Sequence, residues 1–234
     1  MTKQFESEGL PQQRRGVTPG MVGRYPDYDV LEQANHWDDV TRRLVLGRVE
    51  NVPEIRFFNV RETATLTVLC DELTGQAGEQ PKIPILNFVD EKLANGDLDG
   101  YRYFDMPDDR ETWRIVALGL DEEARKRCAE SFALLPAGEQ RQLCHRFAKA
   151  ELFGGAWSTL NVARAFGVVM RHVCAQFYSH PWAWNEIGFA GPAYPRGYAR
   201  FGSPHLRNAE TEAWEGVEAF ELDPVRDTKE RGLD

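Results

Sequence analysis

The 234-residue chain is short of basic charge, cysteine, histidine and long apolar runs, and each shortage closes off a class of function. Lys and Arg number 28 against 37 Asp and Glu, a formal net charge of −9. That balance leaves no cationic excess with which to displace counterions from a nucleic-acid backbone or to hold an anionic membrane, so no nucleic-acid partner is expected. No stretch approaches the roughly 20 apolar residues that span a bilayer, so direct membrane insertion is not expected either. Arg14-Arg15 is a twin arginine, but Gly16-Val17-Thr18-Pro19-Gly20 follows it where an export signal needs continuous hydrophobicity. Cys70, Cys128, Cys144 and Cys174 form no CxxC or CxxxC pair and fall in helix-like apolar patterns, which reads as small buried hydrophobes in a reducing compartment.

Catalytic constellations are missing as well. There is no GxSxG nucleophile elbow, and Gly154-Gly155 runs into Ala156-Trp157 with no Lys-Ser/Thr pair to hold a nucleotide. The five histidines show neither HExxH nor the Glu-x-x-His pairs of di-iron bundles. His172 is expected to face outward with Arg171 and Arg164 as a polar strip, hydrogen-bonded or solvated rather than ligating. The chain is thus expected to carry no catalytic, cofactor-binding or metal-binding residues of its own.

What is present is helical periodicity. Of the residues, 42% are hydrophobic and 28% charged, enough apolar material for one globular core. Trp37 to Leu44 reads as a short helix ending before Pro53. Asn59 followed by Glu62 is a capping pair that opens a helix with Leu66, Leu69 and Leu73 on one face, stopped by Gly75. Pro84 opens a second stripe through Ile85, Phe88, Val89 and Leu93 that closes at Asn95-Gly96. Pro107-Asp108-Asp109 starts a third along Trp113, Val116, Leu120, Ala124 and Cys128, and Leu143 and Phe147 lie on a fourth that begins after Pro136. From Ser158 to Tyr178 apolar residues cover more than one face, which marks the centre of a bundle. No strand pattern and no long internal repeat appear, so the expected fold is all-α: an irregular bundle of about five or six helices at 37–201, an extended or disordered arm at 1–36 and an acidic tail at 202–234.

The densest feature is His180 to Tyr198, where five aromatic rings are interleaved with Pro181, Pro192, Pro195 and three glycines. That mixture predicts an irregular, ordered loop in place of a regular element. Trp182, Trp184, Phe189, Tyr194 and Tyr198 offer large apolar faces, Asn185, Glu186 and Arg196 offer polar ones, and Ile187, Pro192 and Pro195 complete a surface suited to a partner protein. The alternative is a stand-alone sugar-binding module or enzyme, with rings stacking on sugars and the polar side chains holding hydroxyls.

Several segments carry a resemblance: Asn59-Val60-Arg61-Glu62, Leu69-Cys70-Asp71-Glu72-Leu73, Ile83-Pro84-Ile85 with Phe88-Val89-Asp90, and the closing Trp184-Asn185-Glu186-Ile187-Gly188-Phe189 with Gly191 to Tyr198. Together, over roughly Phe57 to Tyr198, the chain resembles the gluconate 2-dehydrogenase subunit 3 family, small non-catalytic subunits that accompany flavin-dependent dehydrogenases of the glucose-methanol-choline class. The resemblance implies a chain that binds and stabilises an FAD-carrying catalytic subunit acting on CH–OH groups, assists its maturation or export, and in some complexes works beside a cytochrome c subunit with its haem. The FAD belongs to the partner. A cytoplasmic location is expected, with export to the periplasm only alongside a partner that carries the signal.

Overall fold

The computed structural model of the protein describes residues 29–100, 102–187, 189, 191 and 192. Helix starts are set by short polar side chains. Asp38 caps α1 (Asp39–Glu50), Asn59 caps α2 (Val60–Leu73), Asp108 caps α4 (Asp109–Arg125) and Asn161 caps α6 (Val162–Tyr178), each side-chain oxygen accepting from an otherwise unpaired amide of the first turn. At α2 the cap is reciprocal: Asn59 accepts from Arg61 and Glu62, and the Glu62 carboxylate accepts from the Asn59 N–H at 2.9 Å. α3 (Ile85–Asn95) and α5 (Ala137–Ala148) instead follow prolines, and α3 ends on Gly96 in the left-handed conformation at φ 78°. A further short helix, α7, spans Pro181–Ile187. Among the described residues, 3-10 segments lie at Val30–His36, Phe132–Leu134 and Gly155–Thr159. The described residues are all helix and connection, with no strand and no helix long and apolar enough to cross a membrane.

α6 is the axis of the assembly, in contact with α2, α3, α4, α5 and α7. Its inward face is Ala165, Val168, Val169, His172, Val173 and Phe177. The stripes read from the sequence are buried: Leu66 and Leu69 on α2, Val89 and Leu93 on α3, Trp113, Val116, Leu120 and Ala124 on α4, and Leu143 and Phe147 on α5. Gly119 on α4 is required by a close approach, because a Cβ there would sit 2.5 Å from Cε2 of Trp157.

Four expectations are corrected. α1 runs on to Glu50, and Trp37 lies before it, buried in the core. The residues just before Trp37 are not part of a loose arm, since Val30, Leu31 and Ala34 on the 3-10 segment are buried, so the body begins by Val30 and not at 37. Cys128 leaves the α4 stripe: the helix ends at Arg125, Cys128 takes φ 61°, and its side chain is exposed. The remaining cysteines are buried at 70 and 144 and half-buried at 174, and desolvation first, with a neighbouring carboxylate second, pushes the Cys144 thiol up to about 12. Finally, the chain does not become irregular at Pro181. Proline there occupies the first helical position, where its missing N–H is not needed, so it opens α7.

Between the helices, buried acids hold the connections. Asp90, fully buried on α3, receives three successive backbone amides: Arg56 at 2.7 Å, Phe57 at 3.0 and 3.1 Å to its two oxygens, and Phe58 at 2.9 Å. Asp121 on α4 accepts from Thr65 at 2.7 Å, from the Phe132 amide at 3.0 Å and from Arg61 at 2.6 Å. Glu123 pairs with Lys126, Arg127 and Arg146. Each carboxylate is repaid for burial by charge-assisted hydrogen bonds. Asp90→Asn would place an NH2 group against at least one of those amides. We expect a loss of about 3 kcal/mol of unfolding free energy in urea titrations, with the helical circular dichroism of the native state retained.

Candidate interaction site

α7 and the 3-10 segment at Val30–His36 meet at one end of the bundle. Asn185 is the clasp: its Oδ1 accepts the Val30 amide at 2.8 Å, and its Nδ2 donates to Asp29 at 3.3 Å. The Trp184 indole N–H donates to the Tyr178 carbonyl at 2.6 Å, which fixes the ring against the end of α6, and Phe189 meets that ring edge-on at 5.3 Å. Gly191, at φ 86°, passes so close that a Cβ would lie 2.8 Å from Val30 Cγ2 and 3.2 Å from Trp37. Asn185 on α7 and Gly191 after it therefore lie against residues 30–37.

This placement decides what the sequence-predicted site residues do in the chain itself. Trp182, Trp184 and Asn185 are 4%, 9% and 8% exposed. Their rings and amide are spent on internal packing, and neither tryptophan presents a free face to a sugar or a partner. Glu186 and Ile187 lie in α7, and their side chains fall outside the described residues. Phe189 remains 39% exposed, and Pro192 is half-buried. Tyr194, Pro195, Arg196 and Tyr198 lie outside the described residues.

His180 sits behind this end. It is 1% exposed, accepts the Trp182 amide on Nδ1 at 3.3 Å and packs against that ring at 4.7 Å between centroids. Desolvation, reinforced by the Arg48 guanidinium and opposed by a hydrogen bond to the Arg48 backbone, pulls its pKa down to about 3.

A second buried histidine was expected at the surface. His172 is 1% exposed, and its Nδ1 accepts the Trp113 indole N–H at 3.0 Å. Because Trp can only donate, the neutral ring carries its proton on Nε2, which lies 3.5 Å from Asp109 and 3.6 Å from Asp99. These three residues are close enough together to suggest a cation site. The donor set does not fit one, since a ligating nitrogen must present a lone pair and this Nε2 presents a hydrogen. Asp99 is also neutralised by Lys92 at 2.8 Å and Arg171 at 2.6 Å, and the Lys92 hydrogen bond leads the interactions that hold its carboxyl below the usual range. The rest of the expected polar strip is likewise paired: Arg164 bonds Asp105, with its guanidinium over the Tyr103 ring.

Two larger grooves lie elsewhere among the described residues. One, of 620 Å³, runs between α1 and α3 with exposed Val40 and Leu44 on its lip and Arg43, Arg48, Glu91 and Lys92 along it. The other, of 450 Å³, lies where the chain passes from α5 to α6, with Phe153 73% exposed on its lip. Neither was visible from the sequence, because periodicity identifies the buried face of a helix and not which of its other positions will border a groove.

The family model for gluconate 2-dehydrogenase subunit 3 matches residues 60–191, more than half of the chain. The chain belongs to the gluconate 2-dehydrogenase subunit 3 family. The match begins at the first residue of α2 and ends at Gly191, so the Pro192 to Tyr198 run lies beyond it. No curated protein and no solved structure matches the chain. The subunit 3 segments have clear structural duties: Asn59 and Glu62 cap α2, Arg61 and Asp121 join α2 to α4, and Asp90 holds the approach to α2.

Two outcomes follow. Trp184→Ala is expected to destabilise the isolated chain by about 3 kcal/mol, read as a lowered urea midpoint, because it empties a packed position. His180 binds its proton less readily folded than unfolded, so the unfolded state takes up more protons as pH falls below about 6.5, and stability declines by up to about 1.4 kcal/mol per pH unit. Between pH 6.5 and 4.5 this decline precedes the acid range where the depressed carboxylates Asp99 and Glu123 begin to contribute. Urea titrations across that window should show a flatter dependence for His180→Gln.

Proposed function

We propose that this chain is the non-catalytic small subunit of an FAD-dependent sugar or alcohol dehydrogenase, where it binds and stabilises the flavin-bearing catalytic subunit and assists its maturation or export. The observation that carries this reading is the subunit 3 match across α2 to α7. A family defined as one numbered subunit of a gluconate dehydrogenase complex implies other subunits, and a partner of the glucose-methanol-choline class would hold the FAD, with a cytochrome c as a further subunit in some assemblies. The helical body supports the reading by the way it employs its ionisable groups. Asp90, Asp121 and Glu123 hold connections and neighbouring side chains, His180 is kept neutral by burial, and His172 accepts the Trp113 indole N–H. Such groups keep a scaffold in shape and are not poised for proton transfer.

The test is purification of the tagged full-length chain from its native host, with flavin absorbance, mass spectrometry and gluconate or alcohol dehydrogenase assays on the eluate. The expected result is a stoichiometric flavoprotein with dehydrogenase activity. A chain recovered alone and colourless would contradict the reading.

A further inference from the structure

The groove between the end of α5 and the start of α6 differs from the rest of the surface. None of the residues that line it is charged, although 28% of the chain is. Its floor includes Leu152 and Trp157, both buried, and its rim includes Phe153 with the half-buried Leu160 and Val162. The other groove has three cations and two anions along it, and seven of its thirteen lining residues, from α1 and the turn after it, precede the family match at residue 60. The uncharged groove lies wholly within residues 60–191. A surface that serves a function common to the family must come from that matched portion.

The chemistry of the occupant follows from the lining. A charged group entering 450 Å³ of uncharged wall would lose its hydration without gaining a counter-ion. An apolar segment would lose nothing and would also cover Phe153, whose exposed ring is costly to leave in water. Covering a protruding ring together with the groove beside it suits a protein segment better than a small molecule, which would be enclosed and would leave the rim wet.

We propose that this groove, lipped by Phe153 and floored by Leu152 and Trp157, receives an uncharged apolar segment of the flavin-bearing subunit. The inference rests on the accessory-subunit reading and deepens it by naming the surface.

The experiment titrates the purified full-length chain against the purified flavoprotein that accompanies it, with Phe153→Glu, Ala163→Glu and Phe153→Leu as variants and Leu44→Glu in the other groove as a control. Phe153, Ala163 and Leu44 are all exposed, so each variant is expected to keep the wild-type melting temperature. The two groove glutamates should raise Kd by at least about tenfold, while Phe153→Leu and Leu44→Glu should stay within about twofold of wild type. Groove glutamates that bind like wild type would overturn the docking proposal and leave the accessory-subunit reading standing. A dimer of the chain alone that Phe153→Glu abolishes would also overturn it, by showing that a second copy occupies the groove. A wild-type chain that binds no flavoprotein would overturn the functional reading, and the docking surface with it.

Discussion

A single buried carboxylate joins the first half of this fold together. Asp90 lies fully inside α3, yet its ligands are the amides of Arg56, Phe57 and Phe58, more than 30 residues earlier. Those residues form the approach to α2, so the anchor fixes where Asn59 stands and therefore where the reciprocal cap can form. It also places Phe58 in the core near Trp113. A carboxylate is the natural acceptor for three amides in a row, because its two oxygens offer about four lone-pair sites and its charge strengthens each bond. An apolar side chain at this position would leave three backbone donors without their carboxylate, the Phe58 amide buried among them.

The same device recurs. Asp121 ties α2 to the 3-10 segment at Phe132–Leu134, and the Glu122 carboxylate accepts the Ala156 amide at 2.8 Å at the 3-10 turn that follows α5. Gln76 performs the neutral version, with its amide exchanging hydrogen bonds with both the N–H and the C=O of Ile83. In an irregular bundle the connections cannot satisfy their own amides, and buried side chains supply the missing partners. That is the physical content of the subunit 3 segments: they specify how helices are joined. The surface proposed for recognition carries no charge and sits at a connection, where α5 gives way to α6.

Local signals were legible in the sequence where they depend on neighbours only. The Asn59 and Glu62 pair, the stop of α3 at Gly96 and the 3.6-residue stripes, Cys128 apart, formed as read, since capping and amphipathicity act within one or two turns. Longer-range outcomes were not. Asp90 entered only as the end of the Phe88-Val89-Asp90 segment, and nothing near it in sequence announces three distant amides. His172 was read as outward-facing because its neighbours Arg171 and Arg164 are charged, but Trp113 on α4 supplies a buried donor that draws it inward. The start of the aromatic segment, Pro181 to Ile187, was misread as irregular for a different reason. Counting prolines across His180 to Tyr198 gave each equal weight, whereas Pro181 is at a helix start, and the tryptophans behind it found a cover in residues 30–37, a segment whose polar flanks concealed its buried Val30, Leu31 and Ala34.

The resulting molecule is a scaffold whose internal charges are committed to holding helices in register, and whose proposed task is to hold another protein. Both statements depend on the joints being rigid. The most direct measurement is native-state hydrogen exchange on the full chain, resolved at the amides of Arg56, Phe57 and Phe58. If Asp90 anchors the fold, these three amides, which lie in a segment without regular structure, exchange only through the same global unfolding as the core of α6. Fast exchange at 56–58 beside slow exchange in α6 would contradict that account, because the joint would then open while the bundle stays closed.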